Sequence, residues 1–471
     1  MREIEVELKR IVGPDNVLTD LEDRVCFSYD STHVERLPDF IVRPRTTAEV
    51  SEIMKLANQA RVPVVPRGAG TGLSGGSVPV YGGIVLELTR MNSILEVNLQ
   101  DLYAVVEPGV VTLDLQNLVA EKKLLYPPDP GSNSASTIGG NIAENAGGLR
   151  GLKYGVTQHY VMGLEVVAPT GEVFRTGSRT VKCVTGFDLT RLMVGSEGTL
   201  GVVTRATLKL IPAPEFGRAM LGVFDDTLSA AKAVSRIIEA GVVPATLEYL
   251  DRVTINAVED FKPCGLPRDA EAVLLCECDG TREAAEKEAA AASAIMRDCG
   301  ARRVDFARDD VEKAAVWAGR RAALAALTRV MPTTILEDAT VPRSRIPEII
   351  EVIRSIAAEY RLKIGTFGHA GDGNLHPTFL TDERDADEMH RVEKAVDDLF
   401  RAALGLGGTL SGEHGIGITK ARFLEWEMGS EGVSMMRRIK KAMDPNNILN
   451  PGKMSLDDGE AADPATGGGA R

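Results

Sequence analysis

Three of the six histidines in this chain of 471 residues fall in two short glycine-rich segments near its C-terminal end. The first is His369-Ala-Gly-Asp-Gly-Asn-Leu-His376. The second is Ser411-Gly-Glu-His-Gly-Ile-Gly417, which holds Glu413 and His414. Strand-like runs at 363–367 and 375–380 flank the first segment, and Gly371-Asp-Gly-Asn374 between them is strong turn chemistry. With those four residues as the loop, Ala370 faces Leu375 and His369 faces His376, with Cβ atoms about 5 Å apart. Two imidazoles at that separation plus one carboxylate make a divalent-metal set with open coordination positions. Glu413 is the carboxylate candidate. The plainer alternatives are two histidines packed in a core and a glutamate on a solvated turn. The clustering of histidines weighs against the first more than against the second. His159 and His390 read as structural, and His33 has no assigned place.

A second chemistry belongs to glycine. The 47 glycines are 10% of the chain, against an ordinary figure of about 7%, and the excess is clustered. Arg67-Gly-Ala-Gly-Thr-Gly-Leu-Ser-Gly-Gly76 contains G-x-G-x-x-G at Gly70, Gly72 and Gly75. A nicotinamide fingerprint needs a helix directly after the loop, and Ser77-Val-Pro79 with Gly82-Gly83 excludes one. There is no G-K-[ST], so this is no P-loop. The G-x-S-x-G match at Ser74 lacks the strand–turn–helix context of a hydrolase elbow. What the loop can do is turn several backbone N–H groups toward one anion, beside the hydroxyls of Thr71, Ser74 and Ser77 and the charge of Arg67. Two further stretches are of the same kind. One is Pro130-Gly-Ser-Asn-Ser-Ala-Ser-Thr-Ile-Gly-Gly-Asn141 with Asn145-Ala-Gly-Gly148. The other is Gly195-Ser-Glu-Gly-Thr-Leu-Gly201. Three such stretches separated by strands fit one extended ligand with a pyrophosphate in its middle.

The elements that must position these residues are legible from period and punctuation. Thr46-Thr-Ala-Glu49 is a capping box, and Val50, Ile53, Met54 and Ala57 follow at helical spacing. Strands are expected at 62–66, 83–88, 163–168 and 201–210. Ile211-Pro-Ala-Pro214 reads as a boundary. Beyond it glycine thins and strands alternate with helices. An Ala-rich helix is expected over about 309–328, a strand near 333–338, a helix near 344–360, the hairpin at 363–380, a helix near 383–404, and a last helix ending at Asp444-Pro445. The polar tail, 456–471, is expected to be disordered.

Charge and composition exclude several classes. Lys and Arg total 54 and Asp and Glu 67, a net charge of −13. That disfavours nucleic acid as a partner, and anionic lipid by charge alone. No apolar run approaches the roughly 18 residues of a membrane span, and the charged opening Met1–Arg10 reads as an amphipathic helix rather than a secretory signal. Six cysteines form no CxxC pair, which excludes the usual iron–sulfur spacing. A cytoplasmic location is expected, with any membrane association made through a partner.

The glycine stretches resemble the FAD domain of the vanillyl-alcohol-oxidase superfamily. The resemblance implies cofactor contacts from Arg67, Gly68, Ala69, Gly70, Thr71, Gly72, Ser74 and Gly75 in the first loop. From the second stretch it implies Pro130, Gly131, Ser132, Ser136, Thr137, Gly139, Gly140, Asn141, Asn145, Ala146, Gly148 and Tyr154. Glu197, Gly198, Gly201, Val202 and Val203 follow in the third, and Asn450 returns near the end. Some members tether the flavin through a His just after the first glycines; Thr71 stands there, so non-covalent FAD is implied. The two histidine segments, with Trp317-Ala-Gly-Arg320 and Asp444-Pro-Asn-Asn-Ile-Leu-Asn-Pro-Gly-Lys453, resemble the FAD-linked 2-hydroxy-acid dehydrogenases over roughly residues 40–453. By that likeness His369, His376 and Glu413 are ligands of a divalent metal (Zn, Fe or Mn). His414 is the acid/base, and Arg320, with Arg321 as a rival, pairs with the substrate carboxylate.

The implied architecture is α+β: a two-subdomain FAD-binding fold of the vanillyl-alcohol-oxidase type over 1–214, an α+β substrate (cap) domain over 215–425, and a C-terminal segment, 426–455, returning to the FAD domain. The implied reaction is oxidation of a small D-2-hydroxy acid, lactate or glycolate, to the 2-oxo acid. Electrons would leave to an electron-transferring flavoprotein, an iron–sulfur subunit or quinone, and an oligomer or hetero-complex is compatible. A D-2-hydroxyglutarate-type dehydrogenase is the alternative, weakened because Leu336 stands where those members carry Lys. A non-redox flavoenzyme of the same scaffold is the other.

Overall fold

The computed structural model describes residues 1–457. Residues 458–471, most of the tail expected to be disordered, lie outside the described residues. The first two residues of that tail belong to the fold: Leu456 is buried, and Asp457 accepts hydrogen bonds from Asn447 Nδ2 and the Gly452 amide. The chain forms two units, one made of Met1–Ala146, Val156–Ala213 and the chain from Glu413 onward, the other of Gly147–Gly155 and Pro214–Gly412. The return to the first unit comes at Glu413 rather than at 426. The cause is local, because the amides of Ile416 and Gly417 donate to the Glu197 carboxylate at 2.7 Å each. Gly147–Gly155 joins the second unit because Lys153 Nζ and Tyr154 Oη donate to the Asp279 side chain at 2.6 and 2.7 Å.

Among its described residues the first unit has two larger sheets, each with its own core, besides a short two-stranded pairing of Leu124–Leu125 with Ile211–Pro212. A four-stranded sheet runs in the order Val17–Leu18, Phe40–Val42, Ile84–Glu87, Val64–Arg67, with the last three strands parallel. Helix Thr47–Ala60 covers it with Val50, Ile53, Met54 and Ala57, all buried. Its start is the expected one: Thr46 Oγ1 accepts the Glu49 amide, and Glu49 reaches back to the Arg45 amide. A five-stranded antiparallel sheet runs Ile94–Asn98, Tyr103–Val106, Val202–Lys209, Val161–Val167, Val173–Gly177. Its apolar face packs on helices Thr112–Ala120 and Ile138–Glu144.

The second unit is one antiparallel sheet with helices on both faces. Its main order is Ala301–Phe306, Phe216–Phe224, Ala272–Gly280, Thr246–Asp251, Lys363–His369, Asn374–Thr381, Thr333–Leu336, with the short strand Ala339–Thr340 also on Asn374–Thr381. Alternation sorts the side chains. Leu221, Val223, Leu250, Val273 and Leu275 share a face with helices Arg252–Phe261 and Ala323–Leu327. Gly222 faces Met296 of helix Arg282–Asp298 on the other side. The Ala-rich helix expected over 309–328 is two helices, Asp310–Arg321 and Ala323–Leu327.

The last helix, Leu424–Met443, is broken at Gly429 (φ 66°). It ends on a buried ion pair, Lys440 Nζ to Asp444 Oδ2 at 2.6 Å, and the same ammonium donates to the carbonyls of Thr199 and Leu449. Burial lowers the Lys440 pKa and Asp444 holds it up. Asp444 in turn accepts the Ile448 and Leu449 amides, which turns the chain so that Leu449 bridges Val64 and the Asn450 amide reaches the Val64 carbonyl. Removing one partner of a buried pair strands the other charge. Lys440→Met is therefore expected to cost about 3–5 kcal/mol, read as a lowered midpoint in urea unfolding.

Candidate functional site

In the first unit the glycine stretches meet because side chains of one fill the space left by the missing Cβ atoms of another. A Cβ on Gly68 would collide with Thr137 Oγ1, which caps helix Ile138–Glu144. One on Gly76 would meet Glu144 Oε1, and one on Gly417 would meet the Ser74 carbonyl. Gly70 and Gly75 also have positive φ, 71° and 78°, where L side chains are strained. Arg67 is buried beneath the loop, donating to the Tyr29 carbonyl at 2.6 Å and to Ser77 Oγ at 3.4 Å. Its charge braces the loop from below.

Two observations test whether this cradle fits a dinucleotide. Among the described residues, the backbone amides of 69–77 donate to no protein group, although Ser74 and Gly75 are buried. Buried amides require partners, and a row of them suits phosphate oxygens. Asn450 donates through Nδ2 to the carbonyls of Gly76 (2.9 Å) and Glu197 (2.8 Å), while its buried Oδ1 has no hydrogen-bond partner. Both observations fit FAD.

Other members of the expected cofactor set are occupied within the protein. Ser136 Oγ and Asn141 Nδ2 bond Thr112 Oγ1, Asn145 caps its helix at φ 55° and accepts the Gln158 amide, and Val202 is core. Gly131 is exposed, and Gly148 and Tyr154 belong to the second unit.

The turn after His414 is held by Glu197, which the resemblance had placed among cofactor contacts, and by Glu144, which the sequence did not single out. A Cβ on Gly415 would collide with the Glu144 carboxyl and crowd Glu197. Burial raises both carboxyls. The two amides on Glu197 and the nearby ammoniums of Lys453 and Lys420 pull Glu197 back, whereas burial and the Glu197 charge hold Glu144 well above the ordinary carboxylate range. His414 Nε2 lies 3.9 Å from Glu413 Oε1.

In the second unit the hairpin register differs from the expected one. His369 pairs with Asn374 and Phe367 with His376, so the loop is 370–373 and the histidines are diagonal neighbours on one face. The expected pairing of Ala370 with Leu375 and of His369 with His376 is therefore corrected. Gly373, at φ 94° and pressed on the Val341 carbonyl, ends the turn, and Asp372 accepts the Asn374 amide, returning Asn374 to the strand. The rings still approach, with centroids 5.2 Å apart at 88°. Both residues are buried.

Glu248, which the sequence analysis missed, joins this pair to Arg320. Its side chain is fully buried. Oε1 lies 2.8 Å from His369 Nδ1, and Oε2 lies 2.7 Å from Arg320 Nε and 2.5 Å from Nη2. Burial pushes this carboxyl up, but Arg320 and His369 bring it below its ordinary value. Arg320 Nη2 has no aligned acceptor, and its carbon sits 4.8 Å from the Phe367 ring centre. Asp338 is the second residue missed. It lies 3.5 Å from His376 Nδ1 and accepts from Ser411 Oγ and the Gly412 amide, the residues just before Glu413. A neutral imidazole whose Nδ1–H is held by a carboxylate offers Nε2 as a ligand. The donor set of this unit therefore fits a divalent cation.

Residues 38–177 match a family described as FAD binding domain, and residues 213–454 match the C-terminal domain of FAD linked oxidases. The chain is 50% identical over 458 residues to the glycolate oxidase subunit GlcD of Bacillus subtilis (strain 168), covering 97% of each. The chain belongs to the FAD-linked oxidases. It is an FAD-linked oxidoreductase of the glycolate oxidase and D-lactate dehydrogenase type. Other relatives are the GlcD subunit of Escherichia coli (strain K12), 41% identical over 94% of this chain and 89% of that one, and a D-lactate dehydrogenase of Anaerostipes hadrus, 36% identical over 95% and 96%. Among solved structures, p-cresol methylhydroxylase aligns with a TM-score of 0.80 at 18% identity over 97% of each chain. An alkyldihydroxyacetonephosphate synthase aligns with 0.77 at 19% over 96% of this chain and 86% of that one. These structures share the fold, and the expected vanillyl-alcohol-oxidase-type architecture is the observed one. No helix among the described residues is long and apolar enough to cross a membrane.

The glycine contacts make a specific demand on flavin retention. Gly68→Ala drives a methyl into Thr137 Oγ1. The variant is expected to purify with a lower flavin-to-protein absorbance ratio than wild type while its far-ultraviolet circular dichroism is unchanged.

Proposed function

We propose that this chain oxidises a small D-2-hydroxy acid of the lactate or glycolate class to the 2-oxo acid, holding FAD non-covalently and a divalent cation through His369, His376 and Glu413. The observation that supports the reading is the buried set Arg320–Glu248–His369–His376, in which a guanidinium and two imidazoles are joined through one carboxylate. When bound, FAD supplies a hydride acceptor at N5 and the cation supplies a Lewis acid for the α-hydroxyl.

Arg320 binds the substrate carboxylate. Glu248 takes the Nε edge of its guanidinium, and the other edge keeps its donors for the substrate. His414 removes the hydroxyl proton as the Cα hydride leaves, then releases that proton to solvent. The turn that carries it is restrained by Glu197 through the Ile416 and Gly417 amides. Leu336 lies in a strand paired with Thr378 and offers no charge to a second carboxylate, which favours monocarboxylates over 2-hydroxyglutarate. The six cysteines are all free thiols and include no CxxC pair, so electrons leave through an external acceptor: an electron-transferring flavoprotein, an iron–sulfur subunit or quinone. The naming of relatives as subunits supports a hetero-complex. A cytoplasmic location, with membrane association only through such a partner, completes the reading.

Anaerobic mixing with D-lactate, L-lactate, glycolate and D-2-hydroxyglutarate tests it. D-lactate or glycolate is expected to bleach the flavin, and a flavin left oxidised by every acid would overturn the reading. His414→Ala is expected to keep its flavin spectrum and be reduced about 10²–10⁴-fold more slowly. Chelation is expected to suppress turnover without releasing FAD.

A further inference from the structure

We propose that Glu248 is a positioning residue that sets the tautomer of His369, holding Nδ1–H inward so that Nε2 faces outward, and that ties this imidazole to the helix bearing Arg320. This rests on the reading that His369 is a cation ligand and Arg320 a carboxylate-binding group. Three observations support it. The strand register pairs Tyr249 with Gly368 and Leu250 with Phe367, which sets Glu248 directly opposite His369 on one face of the sheet. Glu248 is fully buried, shut off from bulk solvent. Each oxygen has its own partner: His369 Nδ1 at 2.8 Å, and Arg320 at 2.7 and 2.5 Å. An ionised carboxylate only accepts hydrogen bonds, so the nitrogen facing it must carry the proton.

The helix itself gives the third. Of helix Asp310–Arg321 only Gly319 and Arg320 are buried, so apolar packing alone does not seat it. Lys313, Trp317 and Arg320 recur at helical spacing. They bond Glu277 (2.5 Å from Lys313, 2.9 Å from Trp317) and Glu248, two carboxylates on the same sheet face. Glu248 therefore fixes both the imidazole and the guanidinium, and the distance between metal ligand and substrate anchor is set by one side chain. Outer carboxylates of this kind orient ligating histidines, and their loss typically costs about 10- to 100-fold in metal affinity.

Removing Glu248 alone would strand Arg320, so the test uses flavin-loaded protein in which the pair is replaced together. Arg320→Met is compared with the double variant E248M/R320M, which swaps a buried ion pair for apolar groups of similar volume and is expected to fold. A third form, E248Q/R320M, keeps an acceptor without the charge. The first readout is the His369 tautomer in metal-free protein, from long-range proton–nitrogen correlations of labelled histidine, assigned by loss of the signal in His369→Gln. Wild type, Arg320→Met and E248Q/R320M are expected to show Nδ1–H, and E248M/R320M to lose it. The second readout is Zn²⁺ or Mn²⁺ affinity by competition with a chromophoric chelator, expected to fall about 10- to 100-fold in E248M/R320M relative to Arg320→Met and to recover in E248Q/R320M. Equal affinities with an unchanged tautomer would overturn the proposal. A wild type that binds no cation would overturn the metal reading instead, and the tautomer readout would still decide the role of Glu248.

Discussion

A carboxylate shut off from bulk solvent has to be satisfied by protein, and at Glu248 that requirement organises the second unit. The residue sits in the middle of a strand, with Leu250 and Leu275 beside it on the same face. Leaving it unpaired there would cost several kcal/mol. The structure meets the cost with one guanidinium and one imidazole, delivered from a helix and from the adjacent strand. Both partners are thereby fixed relative to each other. Glu248 lies between the guanidinium of Arg320 and the imidazole of His369 and supplies the negative charge that lets both be buried close together. Asp338 plays the corresponding part at His376 and at the 411–412 turn.

The first unit rests on a different constraint, the absence of Cβ atoms. Its glycine stretches come together because Thr137, Glu144 and Ser74 occupy space that side chains would otherwise fill. Among the described residues, that close approach leaves the backbone amides of 69–77 without a protein acceptor. Buried charge then locks the frame: Lys440 and Asp444 shape the returning segment that brings in Asn450, and Glu197 takes up the amides of the turn after His414. The two units thus use opposite means to the same end. One removes side chains so that its glycine stretches can close on one another, and the other buries ionic side chains that satisfy each other.

The legibility of these features in the sequence followed the range of the interactions involved. The Thr46 cap, the apolar stripe behind it, the hairpin strands and the boundary at Pro214 depend on contacts within a few residues, and their residue types state those contacts directly; the Glu413-His414 turn shows as a motif, but Glu197 holds it from far along the chain. The hairpin loop was misplaced by one residue, and so the pairing by two, because the choice between loops 370–373 and 371–374 involves the Val341 carbonyl against Gly373, which is remote in sequence. Arg67 read as a charge beside the hydroxyls; it is a brace under the loop because the Tyr29 carbonyl claims it.

By itself the sequence determined the chemistry available: clustered glycines able to bare their amides, two histidines on one hairpin, a glutamate–histidine turn, and too few cysteines in the wrong spacing for a metal cluster. Only the tertiary structure decided which groups satisfy which. Glu248 lies 121 residues from His369 and 72 from Arg320, in a strand whose local pattern marks it as one acidic residue among 67 acidic side chains. Its importance comes from burial and from sheet register, and neither exists until strands distant in the chain are side by side.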